Sequence, residues 1–495
     1  MEWLWRVVAG LALAALAGGA LAAPKARTDS GVVVGRESGP AAVFMAIPYA
    51  APPLGPLRWK PPKPAPAWRG ERTAIQAGPA CPQFVLPGGA PNLGGYNGPT
   101  SEDCLTLDVT APKGGVGGRA KAPVMVWIYG GGNIAGASNL PSYDAVNFAR
   151  DGVIVVAMNY RLGALGFLAH PALTREAPRG QPLGNYGLLD QIAALRWVRR
   201  NIAAFGGDPG NVTIFGESAG GGDTLALLAT TAARGLFRRA IVQSGGGWGP
   251  ASSLAEREKQ GVEAATRLGL AGAKATAAEL RAAPVDKLVA VSAVMGSTVD
   301  GRLFTESVTQ AFARGHETDV PLIIGSNSNE ASLMTLVGER EIGGAVEPGP
   351  ELRAAYADVT TTVELRRQMF NDRAMGAPAR WIAAQASSGA PSWLYYFSYV
   401  PERQRATRPG TNHASEIPFV FDSLDAVPGR TPLITPSERA AAALTHSCWV
   451  GFAKTGRPDC TGLTWPTYSP TKDELLEIGI ESGVRTHFRK AQLDA

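Results

Sequence analysis

The sequence predicts an α/β protein in which a mostly parallel central sheet is flanked by helices on both faces. Three observations point there. Short, continuous apolar runs rich in Val and Ile, such as "PVMVWIY" at Pro123–Tyr129 and "VIVVAMN" at Val153–Asn159, have the composition of strands buried on both faces. Segments with helical periodicity fall between such runs, and strands that alternate with helices build parallel sheets. The bulk composition supports a packed core: 45% hydrophobic and 18% charged residues, punctuated by 60 Gly and 38 Pro.

In chain order, the first segment stands apart. "MEWLWRVVAGLALAALAGGALAA" carries Arg6, an apolar core from Val7 to Leu16, and Ala20-Leu21-Ala22 as a small-x-small cleavage site. This is the build of a secretory signal peptide over residues 1–22, with export to the periplasm or beyond the cell. The apolar core is shorter than the ~20 residues a membrane span needs, so no stable membrane anchor is expected. Residues 23–495 read as a single domain without repeats or a long linker. The net charge of +5 is spread along the chain, which does not suggest a nucleic-acid partner. The four cysteines, Cys81, Cys104, Cys448 and Cys460, allow three pairings, of which the sequential one closes two local loops. Each such bridge would contribute about 3 kcal/mol. A metal site is disfavoured, because no C-x-x-C occurs and no histidine clusters with these cysteines.

Further along, "YGLLDQIAALRWVRRNIAAF" places Leu188, Ile192, Leu195 and Ile202 on one helical face. "VTIF" (Val212–Phe215) is a third strand, and "LALLATTA" after the next glycines is helical. "RAIVQSG", "VPLIIGS" (Val320–Ser326) and "WLYYFSYV" (Trp393–Val400) supply a fourth, fifth and sixth strand. Two Ala-rich helical stretches, Ala251–Ser297 and Leu336–Arg380, interrupt the series. Insertions of this kind roof the carboxyl edge of a sheet, where ligands bind.

The chemistry centres on "NVTIFGESAGGGD", Asn211–Asp223. Ser218 follows a strand and precedes a helix, and Gly216 and Gly220 leave room for the tight turn of a nucleophile elbow, the mark of an α/β-hydrolase fold. Such a turn holds Oγ clear of the sheet and aims the Ala219 amide, at a helix N-terminus, at a forming oxyanion. A serine nucleophile needs a base. The hydrolase order of serine, acid, histidine removes His170, which precedes Ser218. His316 leaves little room for an intervening acid, His446 lies in an apolar helical run, and His487 sits near the C-terminus among charges. His413, in "GTNHASEIPFVF" after the sixth strand, is best placed. Glu330 is the one carboxylate in "GSNSNEAS", the loop after the fifth strand, and would fix the imidazole tautomer; Asp300 and Glu306 are reserves.

A second oxyanion donor is expected from "WIYGGGNIAG", where Gly131 and Gly132 follow a buried strand. Gly130-x-Gly132-x-x-Ala135 also matches a dinucleotide fingerprint formally. That fingerprint should open a helix and lead to a strand ending in Asp or Glu, whereas Pro141 follows and the next strand ends at Asn159.

Taken together these motifs resemble the type-B carboxylesterase family, which includes cholinesterases and bacterial nitrobenzyl esterases. "FMAIPYAAPPLGPLRWKPP" looks like its N-terminal segment, "SEDCLTLDV" its cysteine signature, "FGGDPGNVTIFGESAGG" its serine signature and "WVGFAKTGRPDCTGLTWPTY" its C-terminal segment. The resemblance supports pairing Cys104 with Cys81 and aligns Ser218, Glu330 and His413 with the family triad. It likewise aligns Gly131, Gly132 and Ala219 with the oxyanion amides. It implies a serine carboxylesterase acting on a small-molecule ester through an acyl-enzyme, with no metal or organic cofactor. Amides, carbamates or thioesters are the alternative substrates, and a non-catalytic binding member is the alternative class. Three departures stand out. The Cys81–Cys104 loop has no tryptophan for stacking choline, which argues against a cholinesterase. Asn133 replaces a frequent aromatic residue after the glycines, and Asp223 occupies a position usually held by a small neutral residue.

Overall fold

The computed structural model describes residues 23–118, 120–247, 252–293, 296–334 and 348–495. The expected signal peptide at 1–22 lies outside them, as do parts of both helical insertions.

An 11-stranded sheet organises the chain. Its strands are β1 (Arg36–Ser38), β2 (Ala41–Pro48), β3 (Thr106–Pro112), β4 (Ala122–Ile128), β5 (Ile154–Met158) and β6 (Gly207–Glu217). They continue as β7 (Arg239–Gln243), β8 (Leu322–Asn327), β9 (Ser392–Phe397), β10 (Glu474–Ile478) and β11 (Gly483–Thr486). In space the order is β11-β10-β9-β8-β7-β6-β4-β5-β3-β2-β1. Every pairing from β10 through to β5 is parallel. The pairings at the two margins are antiparallel. All six strands expected from the sequence are present as β4 to β9, in the α/β-hydrolase arrangement.

Burial explains why those six were legible. Val124, Met125, Val126, Trp127 and Ile128 are wholly inaccessible, as are Ile154, Val156 and Met158, so neither face of these strands has a polar side to show. The Trp127 and Phe215 rings lie in register on β4 and β6 with centroids 4.7 Å apart. Helix α1 (Tyr186–Asn201) buries Leu188, Ile192, Leu195 and Val198 along one stripe, and Ile202 continues it in the following 3-10 turn. Helix α2 (Ala219–Ala229) follows β6 directly.

The first insertion contains α3 (Leu254–Arg267), whose start is fixed by a capping box between Ser253 and Glu256. Leu280 and Leu288 of this insertion join Trp59, Leu165 and Tyr186 in a second apolar cluster. The second insertion contributes α4 (Thr362–Asn371). It ends before the expected Arg380, because the next helix, α5 (Ala377–Ala386), packs Ile382 and Ala383 into the main core. Disulfides join Cys81 to Cys104 and Cys448 to Cys460, the sequential pairing. Among the described residues no helix is long and apolar enough to cross a membrane.

Candidate active site

Ser218 sits between β6 and α2 with φ 56° and ψ −124°, a conformation L-residues avoid. Holding it costs about 1–3 kcal/mol, and such strain collects at functional sites. Glycines make the turn possible. A Cβ on Gly216 would lie 2.4 Å from the Gly220 carbonyl oxygen, and one on Gly220 would lie 2.0 Å from the Ile128 carbonyl oxygen. The Ser218 amide donates to the Gln243 carbonyl at 2.8 Å, so neighbouring β7 holds the elbow in place. Ser218 and Ala219 remain partly accessible while Glu217 and Gly220 on either side are buried.

The glycine loop after β4 packs directly on this elbow. A Cβ on Gly130 would stand 2.7 Å from the Glu217 carbonyl oxygen and 2.8 Å from Ser218 Cβ. Gly131 and Gly132 have φ of 92° and 66°. At Gly131 a side chain is also excluded by the Ala135 carbonyl, 2.3 Å away. Among the described residues the amides of Gly131, Gly132 and Ala219 donate to no protein acceptor. Three spare donors beside a strained serine are what an oxyanion would need.

The acid and the imidazole come from the loops after β8 and β9, which are stitched together. The Asn329 amide donates to the Thr411 carbonyl at 2.8 Å, the Thr411 amide to Ser328 Oγ at 2.7 Å, and Asn329 Nδ2 to Asn412 Oδ1 at 2.8 Å. His413 Nδ1 thereby meets Glu330 Oε2 in a short hydrogen bond. Glu330 is fully buried and its other oxygen accepts from Ser244 Oγ at 2.5 Å and the Asn327 amide at 2.6 Å.

Two more carboxylates face this pair, and sequence reading missed both. Glu217, the residue before Ser218, brings Oε1 within 3.0 Å of His413 Nε2. Glu416, three residues after His413, accepts from Asn327 Nδ2 at 2.5 Å and Gln243 Nε2 at 3.0 Å. Burial would depress the His413 imidazole, but Glu217, Glu330 and Glu416 outweigh it and raise the group to about 10. Burial pushes Glu217 up to about 8 against the pull of His413, and it also raises Glu416. Among the described residues Ser218 Oγ makes no hydrogen bond to His413, whose Nε2 faces Glu217 instead. The signals for Glu217 and Glu416 were only their sequence positions next to the elbow and the histidine.

The remaining candidates have other partners. Asp300 collects the amides of Leu183, Arg302, Leu303 and Phe304 and shapes a turn. Glu306 pairs with Arg314 and His316. His170 caps a helix by accepting from the Ala172 amide, and His446 is held between the Val420 carbonyl and Asp151. His487 is exposed, with Asp473 3.4 Å away.

Asp223 is buried beneath the glycine loop. Its Oδ1 accepts from Asn133 Nδ2 at 3.0 Å and its Oδ2 from Gln191 Nε2 at 2.6 Å. Burial raises the carboxyl to about 6 although the two amides pull it down. The carboxylate therefore ties helix α2, which follows Ser218, both to α1 and to Asn133, which has φ 59° directly after Gly132. The two departures from the resemblance, Asn133 and Asp223, are partners. Asp223→Ala removes the acceptor of both amides and is expected to cost about 2–4 kcal/mol of stability in urea unfolding. A change below about 0.5 kcal/mol, the range of inert surface positions, would show that the tie carries no load.

The sequence profile of the carboxylesterase family matches residues 22–347 and 350–495. The chain is 36% identical over 486 residues to a fumonisin B1 esterase of Sphingopyxis macrogoltabida, spanning 92% of this chain and 86% of that one. It is 35% identical over 499 residues to a para-nitrobenzyl esterase of Bacillus subtilis, spanning 94% and 97%. Among solved structures, a carboxylesterase of Geobacillus stearothermophilus superposes with a TM-score of 0.82 at 30% identity, covering 95% of this chain and 100% of that one.

Proposed function

The chain belongs to the carboxylesterase family and is a carboxylic ester hydrolase, and from that premise we propose that Ser218, His413 and Glu330 are its catalytic triad. The observation that carries this reading is the strained Ser218 elbow set against three unused amides. In the proposed cycle His413 Nε2 turns from Glu217 to Ser218 and takes the hydroxyl proton as Oγ attacks the ester carbonyl. The oxyanion is held by the amides of Gly131, Gly132 and Ala219. His413 then returns the proton to the leaving alcohol, and water cleaves the acyl-enzyme by the same route. Glu330 keeps the Nδ1 proton in place and stabilises the imidazolium. Labelling of Ser218 by an organophosphate, read by peptide mass spectrometry, tests the assignment; modification elsewhere with Ser218 untouched would refute it.

The substrate class follows from the cavity beside Ala219. It holds about 240 Å³ and is lined by Asn133, Asp223, Arg257, Ser297 and Thr309 among others. Leu225, Val299 and Val308 complete a mixed wall, and the small size of the cavity favours a short acyl group over a long aliphatic one. p-Nitrophenyl acetate should be turned over far faster than the palmitate ester, and the reverse order would overturn this assignment. Export under the signal peptide is part of the same proposal, and the two disulfides agree with an oxidising compartment.

The acid cluster predicts the pH profile. The general base must be neutral, so kcat/KM of the native enzyme should climb with pH toward the imidazole value of about 10. Glu217→Gln removes a negative charge that holds the proton on His413. The imidazole then gives that proton up at lower pH, and the acid limb should shift down by about 1–3 units. An unmoved limb would mean that Glu217 does not act on His413.

A further inference from the structure

A second cavity, of about 440 Å³, lies behind the histidine loop. Gly410, Thr411, Asn412, Ala414 and Ser415 form part of its wall, while His413 between them is absent from it. Three arginines, Arg403, Arg408 and Arg430, stand in the remaining wall among neutral residues such as Tyr399, Val400 and Phe419, and no lining residue is acidic. A single carboxylate pairs with two of these three guanidiniums. Glu438, fully buried behind the wall, accepts from Arg403 Nη1 at 2.6 Å and lies 3.4 Å from Arg430 Nη2. Arg408 has no carboxylate or carbonyl partner for its side chain among the described residues.

Two details distinguish Arg430. Arg430 Nε is buried and without a hydrogen-bond partner, although the Arg430 guanidinium lies over the Phe419 ring at 5.4 Å. Leaving a buried charged donor unpaired is costly, and Glu438 relieves that cost only at the Nη2 end of the guanidinium. Like charges are also held close: burial first, then Arg403 and Arg408, depress Arg430, with Glu438 acting against them. Guanidiniums present planar forks that match carboxylate or phosphate oxygens in pairs.

We propose that this cavity is a binding site for a small anion carrying more than one negative charge, gripped by Arg408 and Arg430. Both a polycarboxylate and a phosphate present that chemistry. The site also shares its wall with Ala414, which has φ 64° immediately after His413, so an occupant would brace the strained segment that carries the base.

Calorimetric titration of the full chain with citrate and, separately, with inorganic phosphate tests the proposal, with chloride at matched ionic strength as the control. Citrate or phosphate should bind where chloride does not, and the tighter of the two identifies the source. Arg408→Gln breaks no side-chain hydrogen bond or ion pair among the described residues, so the folded state should survive. It should weaken binding by roughly tenfold to a hundredfold, the loss of one charge-assisted hydrogen-bonded pair. Arg430→Gln should weaken it similarly. Absence of binding by both anions, or affinity unchanged in both variants, would overturn the site.

Discussion

Ser218→Ala should lower kcat toward p-nitrophenyl acetate by a factor on the order of 10⁵–10⁶, leaving only what the oxyanion amides and binding supply. Alanine removes Oγ and nothing else. It keeps the Cβ and therefore the strain at φ 56°, and the Ser218 amide still donates to the Gln243 carbonyl at 2.8 Å. Stability in urea should consequently stay within about 0.5 kcal/mol of the native protein, as for substitutions that break no buried contact. The pairing of lost turnover with retained stability is the discriminating result. Turnover within tenfold of native would mean that another nucleophile does the work.

Glu330→Gln should lower kcat by about 10⁴-fold, because the imidazole then loses both its tautomer lock and the charge that stabilises its protonated form. Unlike the serine substitution, it should also cost stability. Glu330 is fully buried and accepts from Ser244 Oγ, the Asn327 amide and His413 Nδ1. A glutamine has one oxygen for those donors and turns an NH₂ toward the others, at a cost of about 1–3 kcal/mol. The acid limb of the rate profile should move to lower pH as well, since one of the carboxylates that raise His413 is neutralised. A variant with native kcat would remove Glu330 from the triad and leave Glu217 or Glu416 as the acid to test.

The candidate site could be read from the sequence to the extent that each part is local. Gly216, Gly220 and the strand before Ser218 define an elbow within a few residues, and the chain order of Ser218, Glu330 and His413 selects among the histidines. Glu217 and Glu416 carried no such signal. An acidic residue beside a nucleophile or a histidine is ordinarily solvated, and only burial turns these two into an electrostatic field on the imidazole. Asp223 was an oddity in the sequence for the same reason. Its partners Asn133 and Gln191 lie 90 and 32 residues away, so nothing nearby announces them.

The fold divides along the same line. The six central strands announce themselves because burial on both faces demands continuous apolar runs. The margins, β1 to β3 and β10 with β11, are partly exposed, and their membership of the sheet rests on pairing with strands already formed. What the sequence alone determined is thus the set of elements whose burial or backbone geometry is dictated by adjacent residues: the parallel core, the elbow and the glycine loop. What only the tertiary structure decided is which charges meet. Glu217 faces His413, Asp223 binds Asn133, and three arginines crowd one cavity, because contacts between distant residues depend on how the closed chain brings its loops together rather than on any local pattern.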